Sequence, residues 1–211
     1  MKILTPLLVV SILFSNAAIA QKSSSQENPY MLLGRKALMD GDFKLAVAHL
    51  EKALPSDSTN ANLLYILGYS YYHSSNYPKA VSTFSRVVSL RPGEVSAYYY
   101  RGKARNNMAT EANTPLSYSE REKLLQASIR DFSKAIELNS DDIKYYQNRG
   151  VAYRDLGILK SQRVAKFYDK AVSANAYKAC INDFQHVLEA NPGRTDMIDE
   201  LKKVKVYLAN L

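Results

Sequence analysis

Cysteine is almost absent: Cys180 is the single one in 211 residues. No disulfide can form within the chain, so stability has to come from packing. Tryptophan is missing altogether, and no Asn-x-Ser/Thr acceptor occurs. Acid is in short supply, with 28 Lys and Arg against 20 Asp and Glu, a formal net charge of +8 that favours anionic neighbours. Beyond the first twenty residues no apolar run is long enough to span a membrane. Gly-rich phosphate loops, zinc-type spacings and nucleophile triads do not occur. No enzymatic chemistry, cofactor or metal is therefore expected.

The chain opens with Met1 and Lys2, runs apolar from Ile3 to Phe14, and continues Ser15, Asn16, Ala17, Ala18, Ile19, Ala20. This order has the form of a secretory signal over residues 1–20, cleaved after Ala20. An uncleaved anchor is the alternative, although Ile3 to Ala20 falls short of the ~20 apolar residues of a spanning helix. Cleavage leaves 191 residues headed by Gln21, with charge +7 and no cysteine there to carry a lipid. The expected location is the periplasm or the cell exterior, where nucleic acid is a poor partner. Residues 21–26 read as a short disordered lead.

Self-similarity sets the fold. Gly34, Gly68 and Gly102 fall 34 residues apart, and Ala46 and Ala80, Leu50 and Phe84, Ala53 and Val87, Leu54 and Val88, and Ser58 and Pro92 keep that interval. Tyr30, Leu33, Gly34 and Ala37 recur as Leu64, Leu67, Gly68 and Tyr71, spaced as one helical stripe. Ala46, Leu50, Ala53 and Leu54 form a second stripe, so each unit predicts a pair of helices packed face to face. Pro29 and Pro78 stand where helices start.

These slots resemble the tetratricopeptide repeat over about residues 27–192. A third unit carries Tyr98, Gly102, Ser128, Phe132, Ala135, Ile136 and Ser140; a fourth carries Tyr146, Gly150, Tyr153, Cys180, Phe184, Val187, Leu188 and Pro192. The resemblance implies an all-α solenoid of four hairpins, over 27–60, 61–94, 95–142 and 143–194. The third and fourth are enlarged by 14 and 18 residues between their two helices. Asn113, Thr114 and Pro115 read as a turn, Ser119 with Glu122 as a capping box, and Gly157 as the end of a helix. Residues 195–211 read as a capping helix, with Met197, Ile198, Leu201, Val204 and Leu208 on one stripe.

In such stacks the first helices line a groove. The residues off the packing stripe are Met31, Arg35 and Leu38; Tyr65, Tyr69, Tyr72 and His73; Tyr99, Lys103 and Asn106; and Lys144, Gln147, Val151 and Arg154. Tyrosine offers rigid area with a polar tip, and the bases and amides hold carboxylates or peptide carbonyls. The candidate ligand-binding set is therefore Arg35, Tyr65, Tyr69, Tyr72, His73, Tyr99, Lys103, Asn106, Lys144, Gln147 and Arg154. It would grip a protein or peptide segment, and its charge favours an acidic one. Covering of neighbouring repeats is the plainer role for the same tyrosines. Some family members clamp a chain-end carboxylate with Lys and Asn in the first hairpin; Met31 and Arg35 occupy those slots here. The stretch Leu159–Lys178 is locally basic. The function implied is an interaction scaffold in an envelope or secretion assembly. The alternatives are a self-associating structural subunit and a receptor for small molecules or glycans.

Catalysis finds little footing. Cys180 and His186 lie about 120° apart on a helix, so they form no dyad. Cys180 also holds the small-residue slot of Ala46, Ala80 and Ser128. His73 has no second ligand at a metal spacing. Asp141 and Asp142 suit a helix cap.

Overall fold

The computed structural model describes residues 28–112, 115–164 and 166–211, and every regular element in them is helical. The expected signal, the lead and the Asn113–Thr114 part of the expected turn lie outside the described residues. Helices pair in succession: α1 (Pro29–Met39) with α2 (Phe43–Ala53), α3 (Ala61–His73) with α4 (Tyr77–Leu90), α5 (Val95–Thr110) with α6 (Tyr118–Leu138), and α7 (Ile143–Ser161) with α8 (Lys170–Ala190). The last helix, α9 (Thr195–Ala209), packs on α8.

The starts follow from short polar side chains that accept otherwise unpaired backbone N–H groups. Asn28, Asp42, Asn60, Asn76, Asp142 and Asp169 each cap a helix in this way. Pro29 and Pro78 fall in first turns, where their missing N–H costs nothing. The box that opens α6 is Ser117 with Glu120, not Ser119 with Glu122. Glu120 accepts from the Ser117 N–H at 2.8 Å while Ser117 Oγ accepts from the Glu120 N–H. The earlier start places Arg121 where it donates to the Ala109 and Glu111 carbonyls and closes the end of α5.

The extra residues became helix. α5 and α6 run 16 and 21 residues and α7 and α8 run 19 and 21, against 13 and 14 for α3 and α4. Gly157 therefore does not end a helix; α7 continues through it to Ser161. Its role is close approach. A Cβ there would run into the Tyr177 ring, as one on Gly150 would lie 2.7 Å from Phe184. Gly157 is seven residues after Gly150 and Tyr177 seven before Phe184, so the lengthened hairpin repeats its own contact two turns further out. Ser173 Oγ donates to the Gly157 carbonyl at 2.8 Å, and Ser128 Oγ to that of Gly102 at 2.8 Å.

The two long tips are joined. The Tyr118 and Phe167 rings stack 5.2 Å apart, and Lys160 pairs with Glu122 at 3.2 Å. Between them lies a cavity of about 560 Å³, walled by Ala109, Leu116, Leu125, Ile158 and Leu159.

The first hairpin departs from the expected stripe. Met31, Gly34 and Ala37 are the buried face of α1, whereas Tyr30 and Leu33 stay 42% and 46% exposed. Their counterparts Leu64 and Leu67 are buried because a preceding hairpin covers those slots. Among the described residues nothing precedes α1.

In the third and fourth hairpins the slot of Leu33 and Leu67 is Arg101 and Arg149, which reach across to Asp131 and Asp183. Each arginine also donates to a serine of the preceding hairpin at 3.2 Å, Ser85 or Ser133. A repeated ion pair thus replaces an apolar contact and ties successive hairpins together. Phe84, Phe132 and Phe184, all essentially inaccessible, fill the centres of the last three hairpins. Truncating such a side chain to Ala typically costs about 3–5 kcal/mol. α9 closes the stack with Met197 and Val204 buried and Ile198, Leu201 and Leu208 half-buried.

Candidate functional site

Successive first helices touch: α1 meets α3, α3 meets α5 and α5 meets α7. Among the described residues the second helices make no comparable contact with one another. The stack therefore curves toward its first helices, and their outer stripe forms the inner face.

The middle of that face is a continuous cluster of rings and cations. His73 lies 4.2 Å from Tyr69 and 5.0 Å from Tyr72, ring centre to ring centre. Lys103 Nζ stands 5.1 Å from the Tyr72 ring and 5.4 Å from Tyr99. Lys144 Nζ stands 5.5 Å from the same Tyr99 and 5.2 Å from Tyr145. The order Tyr72, Lys103, Tyr99, Lys144, Tyr145 crosses three hairpins, and each lysine lies against two ring faces, where the quadrupole attracts a cation. Tyr65 meets the edge of Phe84 at 5.9 Å.

Tyr65, Tyr69, Tyr72 and Tyr99 are half-buried, and His73 and Lys144 are exposed. Tyr69, Tyr72 and Tyr99 pack against rings of the next hairpin and stay partly open to solvent. Sequence reasoning missed Phe43, Tyr100 and Tyr145. Phe43 stacks on His73 at 4.7 Å, Tyr100 meets Tyr69 at 5.0 Å, and Tyr145 meets Tyr99 at 5.4 Å. Tyr145 follows Lys144 directly, but it falls on neither the packing stripe (Tyr146, Gly150, Tyr153) nor the groove stripe (Lys144, Gln147, Val151, Arg154) read for that helix.

Other members of the expected set are engaged elsewhere. Asn106 is buried, and its amide donates to Asp155 at 2.9 Å. Arg154 is held by Asp155 at 2.9 Å and by Glu200 of α9 at 2.7 Å. Gln147 accepts from Arg194 at 3.4 Å. These three fasten α5, α7 and the capping helix together and take no place in the ring cluster. Arg35 is exposed on α1. Met31, in the neighbouring slot, is core.

Lys103 and Lys144 give the face positive charge. Although His73 is open to solvent on one side, partial desolvation within the ring stack, then the charge of Lys103, hold its imidazole below its ordinary value. Burial pulls Lys103 down, but the Tyr99 and Tyr72 phenols more than offset it, so the ammonium titrates above its usual value and stays charged. Burial raises the Tyr100 phenol far above its usual range. Cys180 is fully buried, with its thiol pushed far up by burial. Among the described residues no group of three or more His, Cys, Asp or Glu converges as metal ligands would.

The sequence matches no family model and no curated protein. Solved structures are similar in fold. A MamA protein is 24% identical, covering 86% of this chain and 88% of that one, with a TM-score of 0.54. A second MamA structure is 23% identical over 84% and 95% of the two chains, TM-score 0.52. A thermophilic TPR protein of Thermus thermophilus is 17% identical over 84% and 97%, TM-score 0.50. With the 34-residue period and the four hairpins, these likenesses identify the fold: the chain is an α-solenoid of the tetratricopeptide-repeat type.

Proposed function

We propose that this protein is an exported interaction scaffold that holds a segment of a partner protein against the inner face of α3, α5 and α7, within a cell-envelope or secretion assembly. The observation that carries the reading is the cluster of Tyr69, Tyr72, His73, Tyr99, Lys103 and Lys144. Aromatic area and fixed positive charge lie together there, still reachable by solvent. Rigid half-buried tyrosines lose little entropy on binding, and aromatic residues are enriched at interface hot spots. Export is supported by the form of residues 1–20. No described helix is long and apolar enough to cross a membrane.

The test is a pull-down from envelope extract with residues 21–211, beside the variant Tyr65→Ala, Tyr69→Ala and Tyr99→Ala, once both show equal helicity. A partner kept by the parent and lost by the variant is expected; equal capture would move binding off this face. A self-associating subunit is the second reading, favoured by Tyr30 and Leu33 exposed on one face of α1. Light scattering over a concentration series decides it, since only self-association raises the mass.

A further inference from the structure

Partly buried cations in this chain have partners. Arg101 and Arg105 share Asp131, Arg149 takes Asp183, Arg154 takes Asp155 and Glu200, and Lys160 takes Glu122. Lys134 and Arg194 likewise pair with Glu137 and Asp196, and Arg121 donates to main-chain carbonyls. Lys103 differs. It is half-buried, and among the described residues no carboxylate lies within 4.0 Å of its ammonium. Only ring faces and phenols surround it, at 5.1 and 5.4 Å to the Tyr72 and Tyr99 centroids. The rings and phenols keep the ammonium charged but carry no counter-charge, so its positive charge is left for a ligand to neutralise.

We infer that Lys103 is the anchor of the inner face, and that the partner segment brings it a side-chain carboxylate seated between the Tyr72 and Tyr99 rings. This rests on the groove reading and says what chemistry the segment must carry. Lys144, 5.5 Å from the Tyr99 ring, is already held by Asp142 at 2.5 Å, so it adds field rather than a second vacant seat. An ammonium flanked by phenol O–H groups suits a carboxylate, which accepts from all of them at once with charge assistance. A neutral amide would leave the lysine as it is, without a counter-charge.

The test uses residues 21–211 and two end-blocked octapeptides, alternating Ala–Glu and alternating Ala–Gln, titrated in low salt with the tyrosine ring resonances as readout. The Ala–Glu peptide should bind the parent at least tenfold more tightly than Ala–Gln, with shifts at Tyr72 and Tyr99. Lys103→Met keeps the aliphatic stem and should erase that preference, while Lys144→Met should lower it only a few-fold. Lys103→Met gives up two cation–π contacts and should melt only slightly lower than the parent, with unchanged helicity; this separates loss of the anchor from loss of the fold. Equal binding of Ala–Glu by Lys103→Met and parent overturns the inference, and so does failure of the parent to prefer Ala–Glu. Tight, Lys103-dependent binding of Ala–Gln with a free C-terminus would overturn the side-chain source in favour of a chain end. The pull-down judges the groove itself, so the two failures are distinguishable.

Discussion

Arg149 sends two parallel N–H bonds to the Asp183 carboxylate, Nε at 2.9 Å and Nη2 at 2.8 Å. Burial raises the Asp183 carboxyl against the lowering by Arg149, and the same hydrogen bonds raise the guanidinium. The pair stands where the second hairpin has Leu67 and Thr83. Removing one partner strands the other, so Asp183→Ala should cost about 3–5 kcal/mol in urea unfolding. The double change Arg149→Leu with Asp183→Thr restores the apolar version of the slot and should regain most of that loss.

Gly157 faces the ring of Tyr177, which is 2% exposed and has nowhere to move. Gly157→Ala gains helix propensity but forces an overlap, and the overlap should win, with a loss of about 1–3 kcal/mol. Gly93, where an added Cβ would meet nothing within 4 Å, is the control. Gly93→Ala should change stability by no more than ~0.5 kcal/mol.

His73 titrates below its ordinary value in the fold because of partial desolvation and the Lys103 charge. The unfolded chain therefore binds a proton there more readily than the folded one, between the folded pKa and the unfolded value of about 6.5. Its contribution to stability is complete above that unfolded value and is lost as pH falls through the window beneath it. Thermal melts should fall between pH 7 and pH 5.5, and His73→Phe, which keeps the ring stack on Phe43, should flatten that part of the profile.

Much of this was legible in the sequence because a repeat writes each contact several times. Gly68 and Phe84, Gly102 and Phe132, and Gly150 and Phe184 keep their slots through insertions of 14 and 18 residues. Where the chain stops repeating, single residues misled. Gly157 reads locally as a stop, and only its seven-residue offset from Gly150 marks it as a second close approach. Tyr30 and Leu33 carry the repeat's apolar slots, but burial needs a neighbour as well as a slot. Arg101 and Arg149 with Asp131 and Asp183 were written in register, each Arg before a Gly and each Asp before a Phe. A search for apolar landmarks passes over such a pair. The ring cluster proposed as the site was legible at its centre, where Tyr69, Tyr72, His73, Tyr99, Lys103 and Lys144 come together. Asn106, Gln147 and Arg154 share that helical stripe, yet α9 and Asp155 provide them with partners that spacing alone does not show.

Amide hydrogen exchange of residues 21–211, free and with its captured partner, tests the central claim most directly. The account predicts slowed exchange concentrated in α3, α5 and the first half of α7, around Tyr69, Tyr99 and Lys144, with the hairpin tips around Leu116 and Phe167 unchanged. Protection confined to those tips or to α1, with the inner face exchanging as before, would contradict it.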